Sequence, residues 1–347
     1  MSTEHQWKKD YDTLKKYIAD NPDIYIDFRE VSIPSELRDQ FYIYFDSIRA
    51  SFIKSCYDSL PFSVDALRDA YSLSEKELTE LTGIKKIDLP VDLTSFLHNP
   101  EEGMLRWLYN RLFELVQGKI TIDDFEELAR SDFNAAAGEL YRLGYESWAV
   151  FSIITALKPD KIIGVVLDDD DKPETGELDE IAFGRQFHHP AKRIPEFIIH
   201  SAKLEKYIAL KMPLVKEVDG YDMPYEIPKK VLRDRTGDTS FVLDSRVMFL
   251  SVIEDLNRIP VYLNMYTRKI ENPDLTVEFL TVQDINDTDQ FNRVLRRVKI
   301  MNPVQGCTAA VINPDTDSDF SSVAGDIDII PAGLAPEVLQ SVLDKLM

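Results

Sequence analysis

Four consecutive aspartates, Asp168 to Asp171, follow directly on the apolar run 162–167. A carboxylate pair at the carboxyl end of a buried strand is where α/β enzymes hold magnesium, because hard oxygen ligands replace part of the ion's water shell. Asp168 and Asp170 are therefore candidate metal ligands. A second acidic group, Asp315, Asp317, Asp319 and Asp326 with Asp328 beyond it, has the alternating spacing of a calcium loop, with an acid at the twelfth position. Its sixth position is Phe320, where such a loop uses glycine for a sharp turn, and the segment joins expected strands instead of helices. The plainer reading of both groups is a solvated loop. Residues 168–180 hold eight acids against Lys172 alone, a net of −7, broken by Pro173 and Gly176.

A basic group stands out against this acidity. Arg293, Arg296, Arg297 and Lys299 lie on an expected helix whose apolar positions are Phe291, Val294, Leu295, Val298 and Met301. Arginine binds carboxylate or phosphate through paired donors, so Arg293, Arg296 and Arg297, directed outward, are candidate residues for an anionic ligand or an acidic partner. The polar loop Arg233, Arg235, Thr236, Gly237, Asp238 and Thr239 offers backbone donors to a phosphate on the strength of a single glycine. His188 and His189 are adjacent, and neighbouring strand residues point to opposite faces, so the pair marks a polar turn before Pro190. No serine stands in a Gly-x-Ser-x-Gly elbow and no cysteine is near a histidine, so a nucleophilic triad has no support.

Two short resemblances point to phosphoester chemistry. The apolar strand followed by Asp168-Asp169-Asp170 resembles the first motif of haloacid dehalogenase-type phosphatases, over those residues alone. Thr281, Lys299 and Asp326 with Asp328 would stand for the remaining motifs. That family continues with glycine and threonine, whereas Asp171, Lys172 and Pro173 follow here. From Ser245 onward, an expected order of helix, strand, strand, helix resembles part of the core of restriction-endonuclease-like nucleases, with Asp274 and Glu278 as the metal-holding acids. Leu280 stands where that pattern has its lysine.

The elements that must position these residues fall into two kinds. In the front part, periodicity predicts helices over 5–20, 35–59, 74–82 and 100–116, two more within 122–157, and a short strand around Ile24, Ile26 and Phe28. Ser35 is expected to cap the second helix, Ser74 with Glu77 to form a capping box, and Gly83 to end that helix in the left-handed region. Asn99-Pro100 supplies a cap and a first-turn proline. At Lys158-Pro159 the pattern changes to short apolar runs. Strands are expected over 162–167, 197–199, 207–210, 261–266, 275–282, 307–312 and 327–330, with helices over 245–257, 289–301 and 336–346.

The fold class is therefore α+β: a mostly helical domain, 1–158, followed by a mixed β-sheet domain flanked by helices, 159–347. A chain of 347 residues exceeds the size at which single cores stop growing, which agrees with two domains. The net charge of −21 repels polyanions over most of the surface, so nucleic acid is not an expected partner and a protein is. Cys56 and Cys307 fall in different domains and build neither a disulfide framework nor a thiolate zinc site. Without a long apolar run near the start, neither a signal peptide nor a membrane span is expected, and the protein reads as cytoplasmic. Function reads as an interaction or regulatory protein without its own catalytic site; the alternative is a metal-dependent phosphoester hydrolase, phosphatase-like or nuclease-like, using the clustered aspartates with a divalent cation.

Overall fold

The computed structural model describes residues 6–168, 170, 172–182, 192–212, 246–264, 266–267, 269–312 and 327–346. Contacts divide the chain into two compact units, Met1–Asp65 with Val91–Arg142, and Ala66–Pro90 with Leu143–Met347. The expected junction at Lys158-Pro159 is the point at which helix gives way to strand.

The front of the chain runs α1 (Gln6–Asp20), β1 (Tyr25–Ile26), β2 (Val31–Ser32), α2 (Ser35–Tyr57), α3 (Val64–Thr82), β3 (Lys86–Asp88), α4 (Val91–His98), α5 (Pro100–Met104), a 3-10 turn (Leu105–Leu108), α6 (Tyr109–Val116) and α7 (Ile122–Ala156). In the first unit, the apolar stripe of α2, with Phe41, Phe45, Ile48, Phe52 and Cys56, is fully buried. Trp7 from α1 packs between Phe52 and Phe125, ring centroids 5.4 and 5.3 Å away. The helix expected over 100–116 is broken into α5, the 3-10 turn and α6. Gly103 helps explain the break: a Cβ there would lie 2.9 Å from the backbone nitrogen of Phe96, so α5 meets α4 closer than any other residue allows. Asn99 caps α5 as expected, accepting from the Glu102 backbone.

Two expected helix starts are corrected. Ser35 is the first residue of α2, which follows Pro34 without a side-chain cap. Ser74 lies in the middle of α3, where its hydroxyl is buried 3.1 Å from that of Ser152, so it serves packing within the second unit instead of a helix end. Gly83 takes φ of +71° after α3, as its position implied. The two helices expected within 122–157 are one helix of 35 residues.

The second unit is built on eight strands: β4 (Pro159–Leu167), β5 (Pro173–Glu177), β8 (Phe197–Ser201), β9 (Lys206–Lys211), β10 (Val247–Ile253), β13 (Leu275–Thr281), β14 (Cys307–Ile312) and β15 (Ile327–Pro331). Short strands β6 (Glu180–Ala182), β7 (Lys192–Arg193), β11 (Leu263–Asn264) and β12 (Lys269–Ile270) pair outside that sheet. The sheet order is β15-β14-β13-β10-β9-β8-β4-β5. It is antiparallel from β5 to β13 and parallel across β13-β14-β15. Helices α8 (Val282–Asn286) and α9 (Thr288–Met301) make the crossover from β13 to β14, as parallel pairing requires. Helix α10 (Pro336–Leu343) follows β15.

The helix expected over 245–257 is a strand, β10. Val247, Met248, Phe249, Leu250 and Ile253 are all buried, so both faces of the strand are covered and its apolar run shows no alternation. Such a run has no period by which to tell a strand from a buried helix. The strand expected over 261–266 shrinks to β11, with Tyr262 turned into the core beside Phe249.

Register assigns the side chains to two faces. Ile163, Ile198, Ala209, Lys211, Phe249, Ser251, Thr276, Glu278 and Ala309 share one face through successive opposed pairs. The connection after β10 folds over this face, with Leu256 and Ile259 against Ile163 and Ile198. Helix α9 covers it further along, with Val294 and Val298 against Leu280 and Ala309. Among the described residues no helix is long and apolar enough to cross a membrane.

Candidate functional site

Asp168 closes the hairpin between β4 and β5. One oxygen of its carboxylate accepts from the backbone N–H of Asp170 at 2.9 Å and of Lys172 at 2.7 Å, and its own N–H donates to the Lys172 carbonyl at 2.9 Å. The phosphatase-like expectation required a strand leading into a helix. Here β4 is antiparallel to both neighbours and turns straight back into β5, and one carboxylate oxygen of Asp168 holds the turn. Asp170 points to solvent, 3.3 Å from the Lys172 ammonium. Asp169 and Asp171 lie outside the described residues, as do Asp315, Asp317, Asp319, Asp326, the pair His188 and His189, and the loop from Arg233 to Thr239. Asp328 is exposed and pairs with Lys345. Among the described residues no three His, Cys, Asp or Glu side chains converge as metal ligands would.

The two acids of the nuclease-like resemblance are also held structurally. Asp274 accepts from the Val252 backbone N–H at 2.7 Å, which ties the end of β10 to the start of β13. Glu278, fully buried in the middle of β13, receives both arms of Arg297: Nε to Oε1 at 2.7 Å and Nη2 to Oε2 at 2.6 Å. This planar two-bond contact is the strongest geometry available to an arginine and a carboxylate.

That contact corrects the expectation that Arg297 faces outward, since its side chain is 2% exposed. The buried arc of α9 is Val294, Arg297, Val298 and Met301, while Phe291 and Leu295 are only partly covered. At 100° per residue, the helix is turned about 45° from the orientation its apolar stripe implied, toward Arg297. Arg293, Arg296 and Lys299 then fall on the opposite side and are exposed. Asp287 caps the start of α9 by accepting from the N–H groups of Asp289 and Gln290, and Asn302 ends it in the left-handed region at φ 42°. Acid at the start and Arg296 and Lys299 toward the end match the helix dipole. Beside the pair, burial pushes the Cys307 thiol up to about 12, with Glu278 adding to the shift, so this cysteine is not a thiolate nucleophile at neutral pH.

A second charged group went unread in the sequence. Glu196, just before β8, and Lys211, at the end of β9, face each other across the sheet at 3.8 Å, both nearly without solvent contact. The other Glu196 oxygen accepts from the Met212 backbone N–H at 2.5 Å, and the Lys211 ammonium donates to the Met212 carbonyl at 2.6 Å. Burial raises the Glu196 carboxyl and lowers the Lys211 ammonium from their ordinary values, each opposed by the charge of the other. Arg193, on β7, is 7% exposed; its guanidinium donates to the Lys192 carbonyl and is lowered by burial, with Glu196 pulling the other way. Tyr262 completes the group, its hydroxyl 3.1 Å from Ser251 and 3.3 Å from the Ala209 carbonyl. The available signal was Lys211 itself, a lysine ending the apolar run Tyr207 to Leu210 and followed by Met212.

Arg193 and Glu196 also line a cavity of about 350 Å³. Its walls are Val165, Leu178, Ala182, Ile194 and Phe197, with Glu180 and Lys192 contributing further charge. Gly164 makes room for one wall: a Cβ there would lie 2.8 Å from the Leu178 side chain, which rests directly on the strand. Comparison of the chain with protein-family models, curated proteins and solved structures finds no match.

Proposed function

We propose that this protein acts by binding, as an interaction or regulatory protein without a catalytic site of its own, and that an acidic segment of a protein partner docks on the outer side of α9. The observation that carries this reading is the exposed stripe Arg293, Arg296 and Lys299 on a helix anchored to the sheet by Arg297 and Glu278. An anchored helix presents its outer charges in fixed geometry, which lowers the ordering cost of association. In a chain of net charge −21, such a stripe gathers positive charge on one helix face, which favours an anionic partner there.

The test is fluorescence anisotropy with a labelled oligoglutamate peptide, titrated against the protein at two salt concentrations. Binding is expected to weaken as salt rises and to fall in the double variant Arg293→Glu/Arg296→Glu. Binding that ignores the double variant removes the support for α9. Cation-dependent hydrolysis of a phosphoester by the purified protein, together with a rise in melting temperature on adding magnesium, manganese or calcium, would replace this reading with the metal-dependent hydrolase.

A further inference from the structure

We propose that the cavity between β4, β6, β7 and the start of β8 binds a small uncharged molecule, mostly apolar, against Val166, Leu178, Ile194 and Phe197. This site is separate from the α9 stripe and does not rest on it.

The cavity is preformed, because each wall is fastened by an element outside it. β6 pairs in parallel with β3, and the Lys85 backbone N–H donates to the Asp179 carbonyl at 2.9 Å. β7 pairs with β11, where Arg193 opposes Leu263. β4 and β8 are neighbours in the large sheet. Walls held from outside keep open a space of about 350 Å³, which is in the range of small-molecule sites, and a preformed space lowers the ordering cost of binding.

The floor of the cavity is apolar and bared at one point. Gly164 opposes Gly176 on one side and Phe197 on the other, so two adjacent strands carry no side chain there. Leu178 lies directly on the strand, 2.8 Å from where a Cβ of residue 164 would stand. Val166, two residues along and therefore on the same face, is 59% exposed, apolar surface that a ligand would cover.

Charge at the walls is matched within the protein. Arg193 donates to the Lys192 carbonyl at 3.0 Å, and Glu196 accepts from the Met212 N–H at 2.5 Å with Lys211 at 3.8 Å. Arg193 and Glu196 also act on each other with opposite sign. Glu180 and Lys192 add one charge of each sign. An ion entering this space gives up its water while the described wall charges already offset one another, whereas an uncharged molecule gains about 25 cal/mol per Å² of apolar surface removed from water.

Three probes that share a naphthyl ring test the assignment: naphthylmethanol, naphthoate and naphthylmethylammonium, each titrated into the whole chain by calorimetry. The alcohol is expected to bind saturably, and each ion about tenfold or more weaker. A net charge of −21 favours the ammonium probe by itself, so weak binding of both ions separates the cavity from attraction by the surface. Ala182→Phe is expected to fill the cavity and Val166→Glu to put a charge on its wall, each weakening the alcohol about tenfold or more. Should Ala182→Phe fail to fold, Val166→Glu at its exposed position decides, together with methyl NMR of the unaltered protein, in which the alcohol must shift Val166, Leu178 and Ile194 before other methyls. No saturable binding of the alcohol, an ion that binds as tightly, undiminished binding by the folded variants, or shifts that begin elsewhere would each overturn the proposal.

Discussion

The turn at Asp168 and the contact between α9 and β13 both hold charged side chains, and the fold treats them in opposite ways. At the turn, Asp168 bonds backbone N–H groups of its own loop and Asp170 faces water. Between α9 and β13, Arg297 and Glu278 are withdrawn from water and pair through two short hydrogen bonds. Water already stabilises the charges of the turn, so their interactions contribute little. At the second site hydration is lost and the paired charge offsets that loss, so each residue depends on the other. Density of charge along a sequence therefore does not rank its structural importance; the register that places a side chain inside or outside does.

Substitution at the buried pair sharpens this contrast most. Arg297→Met is expected to lose about 3–5 kcal/mol of stability in urea denaturation, because Glu278 is left charged and buried. The double variant Arg297→Met/Glu278→Leu should regain most of that loss. A double variant as unstable as the single one would show that the pair contributes directionality that apolar packing cannot replace.

Glu196 carries the comparison into pH dependence. Its carboxyl is raised above the ordinary value of 4.5, mainly by burial. The folded protein therefore keeps a proton that the unfolded chain releases as pH climbs past that value. Stability from this group is fully present below pH 4.5 and is lost as pH rises through the folded value. Glu196→Gln is expected to flatten stability against pH from 4.5 upward, as measured by denaturation at a series of pH values. An unchanged slope would mean that Glu196 titrates like an exposed carboxyl.

At the hairpin, Asp168→Ala is expected to cost about 1 kcal/mol through lost turn hydrogen bonds, and Asp170→Ser to leave the melting temperature unchanged. A loss at Asp170 as large as that at Arg297 would break the distinction between the two regions. The smallest stability effect is expected on the outer side of α9, where Arg293→Glu/Arg296→Glu should stay within about 0.5 kcal/mol of the parent while weakening oligoglutamate binding. A large destabilisation there would place these arginines in the structural class of Arg297.

Much of the scaffold was legible because local rules and tertiary outcome agree. The stripe of α2, the Asn99 cap, the left-handed Gly83, the α9 span and the strands at 197–201, 206–211, 275–281 and 307–312 follow from period, caps and turn residues. The misreadings have physical causes. Buried on both faces, β10 offered an apolar run without alternation, and 245–257 read as helix. Ser74 and Glu77 have capping-box spacing, yet a serine can equally sit inside a helix when another hydroxyl meets it, as Ser152 does. Of the candidate site residues, Arg293 and Arg296 lie outside as expected, whereas Arg297 shares their composition and differs only in its angle around the helix.

By itself the sequence determined the α+β class, the change from helix to strand near Pro159, the acidic balance and the placement of α9, because these depend on composition and on periods within a single element. Only the tertiary structure decided which charges are inside. Glu278 meets Arg297 because β13 and α9 pack face to face, Glu196 meets Lys211 because β8 and β9 pair in one register, and Arg193 reaches the same place from a strand outside that sheet. Each of these meetings joins different elements of the chain, and a one-residue slip in pairing would turn the strand side chains to the other face. No local pattern encodes that choice; it is made by the burial of the whole sheet.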